Sequence, residues 1–518
     1  MDRYDRQVRL WNTNGQNALS NSSVCFINIS SAATETIKNI ILPGINSITI
    51  IDSQSTIPSN DSLELLKLNN LKSNYFYGIN NSHSFEYIAQ NIAYNLSNLN
   101  PDVKSINVLT DPLQSFISQG DNFWKQFDCV VYSFDAQTDP YIDLLSEILW
   151  HLNIPLVKLS SIGFYSYYTV QFNQLNIIET HQNDLVDLRL DSPWDELISY
   201  INNIDISHVS NPNEYFKYPY NVILIKLYQD NKQKFGKKLT TKQIRQEIDK
   251  LFLTCDESNL LEAYNKAYLL MKNSSELSEN IKELFNNIPN ELTCDTSLFW
   301  ILVSSLKKFY DKYNQLPLSG VLPDMESDSE KYKELKEIYR RKFISDKEFI
   351  YFESMQLLNS LNRSPSELKD NDHLITLFVK NCKYLKIING SKHKNLSETV
   401  LKQVPNNNNM VLYLAFQILE KFIKLEQRYP NQNDKSNLRT LAVSYLCGEK
   451  TLPSFPDGLD KFLDEISRYS GIEIHNISAV IGGITGQEII KLLTNQYIPV
   501  NNSLVFDGIS GKTHSFKL

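Results

Sequence analysis

Apolar and polar positions follow two alternating periods along the first third of the chain. Val24-Cys25-Phe26-Ile27-Asn28-Ile29 is a short apolar run with the character of a buried strand. Ile37, Ile40 and Ile41 then recur at i, i+3 and i+4, the spacing of one helix face, and Pro43-Gly44 stops that helix. Ile48-Thr49-Ile50-Ile51 is a second β-branched strand and ends in Asp52. The alternation goes on with a helix over 85–99, a strand over 105–109, a buried strand at Cys129-Val130-Val131-Tyr132, a helix over 144–152 and a strand over 155–159. Strands separated by helices predict a parallel sheet with helices on both faces.

After about residue 180 long helical patterns take over until about residue 470. Leu298, Ile301, Leu302 and Leu306 share one face of a predicted helix, and Glu337 and Arg341 are spaced for an i, i+4 pair on another. Asn286-Asn287-Ile288-Pro289 reads as a turn, and the asparagine run 406–409 as a solvated loop. Apolar α/β character returns near residue 473, with a helix from His475 to Thr494 carrying Gly482, Gly483 and Gly486, and a last strand at Ser503-Leu504-Val505-Phe506. The expected organisation is an α/β domain in two parts, 1–170 and 473–518, split by a mainly helical insertion over 171–472.

The turn between the first strand and the first helix is where a nucleotide-binding unit places glycines, because only glycine lets the backbone approach a phosphate closely. Here the turn is Ser30-Ser31-Ala32-Ala33-Thr34-Glu35, without glycine and with a carboxylate near the expected phosphate position. The frame of a nucleotide site is present without its chemistry. That pattern fits a subunit that supports another subunit's reaction. A self-sufficient dehydrogenase or adenylating enzyme is the competing class, and it needs the missing cradle.

Composition narrows the classes further. With 518 residues the chain is long enough for several domains. A net charge of -8 argues against broad nucleic-acid binding. No run of about 18 uncharged apolar residues predicts a membrane span. The N-terminus Met1-Asp2-Arg3-Tyr4-Asp5-Arg6 is too charged for a secretory signal. The six cysteines lie at least 39 residues apart, so no C-x-x-C metal or redox pair forms, and the eight histidines show no metal spacing. Scattered reduced cysteines suit the cytoplasm or nucleus. The basic segment 232–245, with Lys232, Lys234, Lys237, Lys238, Lys242 and Arg245, reads as a solvated helix face. An acidic partner surface is the alternative. The aromatic run Tyr165-Ser166-Tyr167-Tyr168 reads as core or interface packing.

Tyr4-Asp5-Arg6-Gln7-Val8-Arg9-Leu10-Trp11 resembles the opening signature of the enzymes that activate ubiquitin-like modifiers. Leu42-Pro43-Gly44-Ile45 leading into Ile50-Ile51-Asp52 is similar to that family's helix–turn–strand. The segment 181–191, Phe299-Trp300-Ile301-Leu302, Gly320-Val321-Leu322-Pro323-Asp324-Met325 and Gly482-Gly483 with Gln487-Glu488-Ile489-Ile490-Lys491 resemble one branch, the regulatory subunits of neddylation activating enzymes. The resemblance implies a Rossmann-like, ThiF/MoeB-type pseudo-adenylation domain split by a large helical insertion. It also implies a heterodimer in which a catalytic partner holds Mg-ATP, adenylates a NEDD/RUB-type modifier and takes it onto a cysteine as a thioester. By motif match Arg6 is the arginine supplied in trans to the partner's ATP site. On residue chemistry alone Arg6 suits either a surface salt bridge or a bidentate phosphate contact.

The departures from active members are specific. Asp52 sits where a dinucleotide domain binds ribose, and reads here as a vestige or a turn cap. Asp135 falls near the family's magnesium-binding aspartate, but Ala136 replaces the usual asparagine, so it reads as a turn or cap residue. The family's Arg-Gln…Lys group is not recognisable over 60–72. No cysteine has the family's Pro-x-Cys-Thr context: Cys255 and Cys294 each precede an aspartate, whose charge opposes a thiolate, and both read as structural. No cofactor or metal is expected in this chain, and neither nucleic acid nor membrane among its partners. The remaining alternatives are the equivalent subunit for a SUMO-type modifier, which lacks so large an insertion, and a nonenzymatic Rossmann-like scaffold.

Overall fold

A computed structural model describes residues 3–53, 74–77, 85–134, 139–178, 186–204, 218–235, 240–252, 258–392, 408–447 and 455–518. Its contacts divide the chain into two compact units, 1–175 with 388–518, and 176–387.

The first unit is built on an eight-stranded sheet. After helix α1 (Asp5–Asn21) come β1 (Ser23–Ile27), α2 (Ser31–Ile41), β2 (Ser47–Ile51), α3 (Ile88–Ser97), β3 (Ser105–Leu109), the short helices α4 (Leu113–Ser118) and α5 (Asp121–Trp124), β4 (Cys129–Ser133), α6 (Asp139–His151) and β5 (Leu156–Ile162). The strands β3, β2, β1, β4 and β5 lie side by side in that order and all run parallel. Side chains alternate across them. Val24 and Phe26 pack with α2 and Ile481 on one face, and Cys25 and Ile27 pack with Trp124, Leu145 and Leu149 on the other.

The sheet is not parallel throughout. β6 (Tyr165–Gln171) turns back on β5 through Gly163, and β9 (Ser503–Asp507) and β10 (Lys512–Phe516) extend the edge in the order β5-β6-β9-β10, each pair antiparallel. The physical reason is loop length: a two-residue connection returns antiparallel, whereas a parallel partner needs a long crossover. The aromatic run lies on β6 and is buried on both faces. Strands β7 (Gln174–Ile177) and β8 (Lys386–Asn389) pair as a separate two-stranded sheet.

The second unit is helical, with α7 (Asp195–Asn202), α8 (Tyr220–Phe235), α9 (Thr241–Phe252), α10 (Ser258–Lys266), α11 (Glu279–Asn286), α12 (Leu298–Tyr313), α13 (Ser329–Ser360), α14 (Ser366–Asp370) and α15 (Asp372–Lys380). Long α13 serves two cores, Leu335 and Tyr339 in one and Ile350 and Leu358 in the other. The predicted Glu337–Arg341 pair forms at 4.0 Å, and Arg341 also meets Glu196 at 2.7 Å.

The chain returns to the first unit at 388, not at 473 as the helical pattern predicts. The helices α16 (Asn408–Glu426), α17 (Lys435–Cys447) and α18 (Leu459–Tyr469) are the reason. Leu414, Phe416, Leu463 and Ile466 join Tyr165, Tyr167 and Val505 of the antiparallel strands in one core. The last helix, α19 (His475–Thr494), is long and apolar enough to cross a membrane by length and composition, but 67% of its most apolar window is buried inside the protein. It packs closely on α2: a β-carbon built at Gly482 would lie 2.6 Å from Glu35 Cβ, 2.9 Å from Thr36 N and 3.0 Å from Ala32 O.

Candidate functional site

In a doubly wound sheet the ligand crevice opens where the strand order reverses, beyond the carboxyl ends of the strands. Here that point lies between β1 and β4. It is closed by the chain's own side chains. Asn28, in the left-handed conformation at φ 62°, donates its Nδ2 to Ser133 O at 2.8 Å. Ser30 Oγ lies 3.0 Å from Ser133 Oγ.

The backbone amides that would face a phosphate are already partnered. Ile29 N–H donates to Asp52 Oδ2 at 2.9 Å. Ser31 N–H and Ala32 N–H donate to the Glu473 carboxylate at 2.5 and 3.3 Å. Ser30 caps α2 by accepting from Ala33 N–H at 3.0 Å. A helix N-terminus carries unpaired N–H groups and a positive dipole end, which is what makes it an anion site. In this protein the anion is internal, and Asp52 holds the turn.

Glu473 reaches this position from the residues leading into α19. Gly163 N–H donates to Ile472 O at 2.8 Å, and Gly163 and Glu473 form an isolated parallel bridge. Gly163 has φ 54°, and a β-carbon there would lie 2.2 Å from the Tyr469 ring, so only glycine fits. Glu35, the acid that the sequence pattern puts near the phosphate position, pairs instead with Lys38, with His475 Nδ1 at 3.9 Å. The one signal for Glu473 was a lone acid between Ile472 and Ile474. Nothing local connects it to Ser31, which is 442 residues away.

Burial raises the Glu473 carboxyl from 4.5 to about 7, partly offset by the Ser31 and Ala32 amides. The folded protein therefore retains a proton that the unfolded chain releases between those values. The contribution of this group to stability is full below pH 4.5, declines as pH rises to about 7 and is constant above. Glu473→Gln is expected to remove that slope from the pH dependence of urea unfolding. Glu473→Ala, which leaves both amides without an acceptor, is expected to cost about 1–3 kcal/mol.

These residues do not fit a bound nucleotide. A phosphate would have to displace Glu473 from two amides, and Gly482 already seats α19 against the turn of α2 behind them. Asp135 and the segment 60–72 lie outside the described residues. Among the described residues no group of three or more His, Cys, Asp and Glu is arranged to hold a metal ion.

Arg6 has a different setting. The helix α1 is broken at Trp11 and Asn12, the latter at φ 57°, so the signature segment forms its own short first piece. That piece is held from beneath. The Tyr4 ring lies on Gly44, and its hydroxyl donates to Asp102 Oδ2 at 2.8 Å. Trp11 is buried, its Nε1 donating to Gln16 Oε1 at 3.1 Å, and Gln16 Nε2 donates to Pro43 O at 2.7 Å. The neighbouring cations are engaged: Arg3 donates to Asn100, and Arg9 pairs with Asp5 at 2.8 Å. Arg6 is exposed, and no ion pair or hydrogen bond joins it to any described residue. The surface salt bridge that its chemistry allowed does not form there.

The other singled-out residues are structural or fall outside the description. Arg245 donates to Tyr264 O at 3.1 Å and stacks over that ring, while the side chains of Lys232, Lys234, Lys237 and Lys238 are not among those described. In 186–191, buried Arg189 donates to Leu316 O, and Leu188 O accepts from Tyr339 at 2.7 Å. Cys255 and Asn406 and Asn407 lie outside the described residues, and Asn408 and Asn409 begin α16. Cys294 is exposed, so it packs in no core.

The model of the ThiF family matches residues 4–518. A NEDD8-activating enzyme E1 regulatory subunit of Gallus gallus is 30% identical over 100% of this chain and 98% of its own length. The regulatory subunit AXL of Arabidopsis thaliana is 29% identical over 100% of this chain and 99% of its own, and the Saccharomyces cerevisiae counterpart 25% over 100% of both. These relatives support the neddylation branch and give no support to the SUMO-type alternative. The chain belongs to the ThiF family and, within it, to the regulatory subunits of NEDD8-activating enzymes.

Proposed function

We propose that this chain is noncatalytic by itself and works by completing a heterodimer whose other subunit binds Mg-ATP, adenylates a NEDD8-type modifier and receives it on a cysteine. The observation that carries this reading is the occupied cradle: Glu473 takes the Ser31 and Ala32 amides, and Asp52 takes that of Ile29. The Glu473 oxygens on those donors fill a phosphate's place. The pair would act in the cytoplasm or nucleus.

Arg6 is the group this chain would lend. Adenylation joins a carboxylate oxygen of the modifier to the α-phosphorus of ATP and releases pyrophosphate. Charge shifts onto phosphate oxygens in that step, and a guanidinium placed there in trans stabilises it. The exposed, unengaged Arg6 on an anchored segment suits that role, because no internal ion pair has to break first.

The test is calorimetric titration of Mg-ATP into the isolated chain, and into the chain mixed with the catalytic subunit. The expected result is no binding heat from the chain alone at millimolar nucleotide and saturable binding by the mixture. Saturable binding by the isolated chain contradicts the proposal.

A further inference from the structure

We propose that a cavity of about 400 Å³ in the helical unit binds a small molecule through a phosphate or carboxylate group, with buried Arg189 as the receiving side chain. The function proposed above makes no use of this site. The segment 186–191, part of the stretch that marks the neddylation branch, forms one wall, and Lys383 with residues between 269 and 278 forms the rest. The volume falls in the range of small-molecule sites, about 300–1,000 Å³, and exceeds what one ordered water fills.

The carboxylates of the wall are mostly spent on holding it in place. Asp187 Oδ1 accepts from Arg189 N–H at 3.0 Å, and Asp187 Oδ2 lies 3.6 Å from Arg189 Nε. Asp191 Oδ2 accepts from Ser274 N–H at 2.9 Å, and Asp191 Oδ1 accepts from the Ser274 hydroxyl. The Asp191 bonds tie the two walls together. The third carboxylate of the lining, Glu276, is exposed.

The donors are not used up. Arg189 is 5% exposed and gives Nη2 to Leu316 O, but its Nη1 is buried with no hydrogen-bond partner among the described residues. Nη1 carries two N–H groups, and a buried charged donor left unpaired is costly, so it points to an acceptor that belongs there. Lys272 and Lys383 line the same cavity, are exposed and join no ion pair among the described residues. Ser278, also in the lining, stands at the N-cap of α11 without a side-chain bond to its first turn. Unspent charged donors therefore outnumber unspent carboxylates. An oxyanion answers them: a guanidinium takes phosphate or carboxylate through directed hydrogen bonds, and the two lysines add charge. Water alone would satisfy Nη1 and leave the lysines as they are.

The test is calorimetric titration of sodium phosphate, and separately of sodium succinate, into the full chain at constant ionic strength. Saturable one-site binding is expected, and the tighter of the two anions tells a phosphate group from a carboxylate group. K272E and K383E, at exposed positions, are expected to melt as the parent does and to weaken that binding about tenfold each. R189K, which keeps the charge and loses the planar fork, is expected to weaken it at least as much. K461E makes the same charge change on the other unit and is expected to leave binding as it is. No saturable binding of either anion overturns the site. Binding that K272E and K383E leave at the parent's strength, or that K461E weakens equally, overturns it too. None of these outcomes bears on the heterodimer.

Discussion

Arg6→Ala is expected to leave heterodimer assembly unchanged and to slow modifier-dependent ATP–pyrophosphate exchange by about 10²–10³-fold, the scale of a missing charge-stabilising donor. The structure gives the reason for separating the two effects. Arg6 makes no hydrogen bond or ion pair to a described residue, so its loss breaks none there, whereas Arg3 and Arg9 are each engaged with neighbouring side chains. Arg9→Ala is therefore the control, with a much smaller effect on exchange. Arg6→Lys keeps the charge but loses the planar fork, and should recover only part of the rate. The measurement is exchange at saturating subunit and modifier concentrations, with assembly followed separately by sedimentation. An unchanged exchange rate, or loss of assembly, would remove Arg6 from the proposed role.

A large effect on stability is expected at Gly482. In Gly482→Val the new β-carbon meets Thr36 N and Ala32 O, both main-chain atoms of α2, within 3.0 Å, so the two helices must move apart. Overpacking of this kind costs about 1–3 kcal/mol, and the upper end is expected here because backbone cannot repack around the methyl groups. The adjacent glycine supplies the contrast. A β-carbon at Gly483 meets only Asn39 Nδ2 at 4.0 Å, and alanine is the better helix former by about 1 kcal/mol, so Gly483→Ala should stabilise. Thermal melts of the two variants test this directly. Equal shifts would mean that α2 and α19 are not packed as closely as described. The same helices frame the sealed cleft, so Gly482→Val should also loosen the Glu473 contact.

The sequence carried the elements better than their assembly. Strand β3 falls on 105–109 and helix α19 on His475–Thr494, as their periodicities predict, because an uninterrupted apolar period reports local structure. Strand direction is a different matter. Nothing in Tyr165-Ser166-Tyr167-Tyr168 says that its partner β9 comes from the far end of the chain or runs antiparallel. The helices over 408–469 show an apolar face but not which surface covers it, which is why the pattern put them in the insertion while they bury that face on β6 and β9. At the cleft, the absence of glycine between Ser30 and Glu35 was plain, but the anion that replaces a phosphate was not. Glu35 drew attention by proximity in sequence and turned to Lys38. Glu473 does the work from 442 residues away, and its apolar neighbours gave only a faint sign of it. Arg6 was marked by its motif, while its lack of a hydrogen bond or ion pair among the described residues could be read only from the structure.

The sealed cleft is tested most simply by modifier-dependent ATP–pyrophosphate exchange with this chain alone, the catalytic subunit alone and the two together. No exchange is expected from this chain, little from the catalytic subunit and full exchange from the mixture. Exchange by this chain alone would show that the cleft closed by Glu473 and Asp52 still accepts a nucleotide, and that the chain is catalytic by itself.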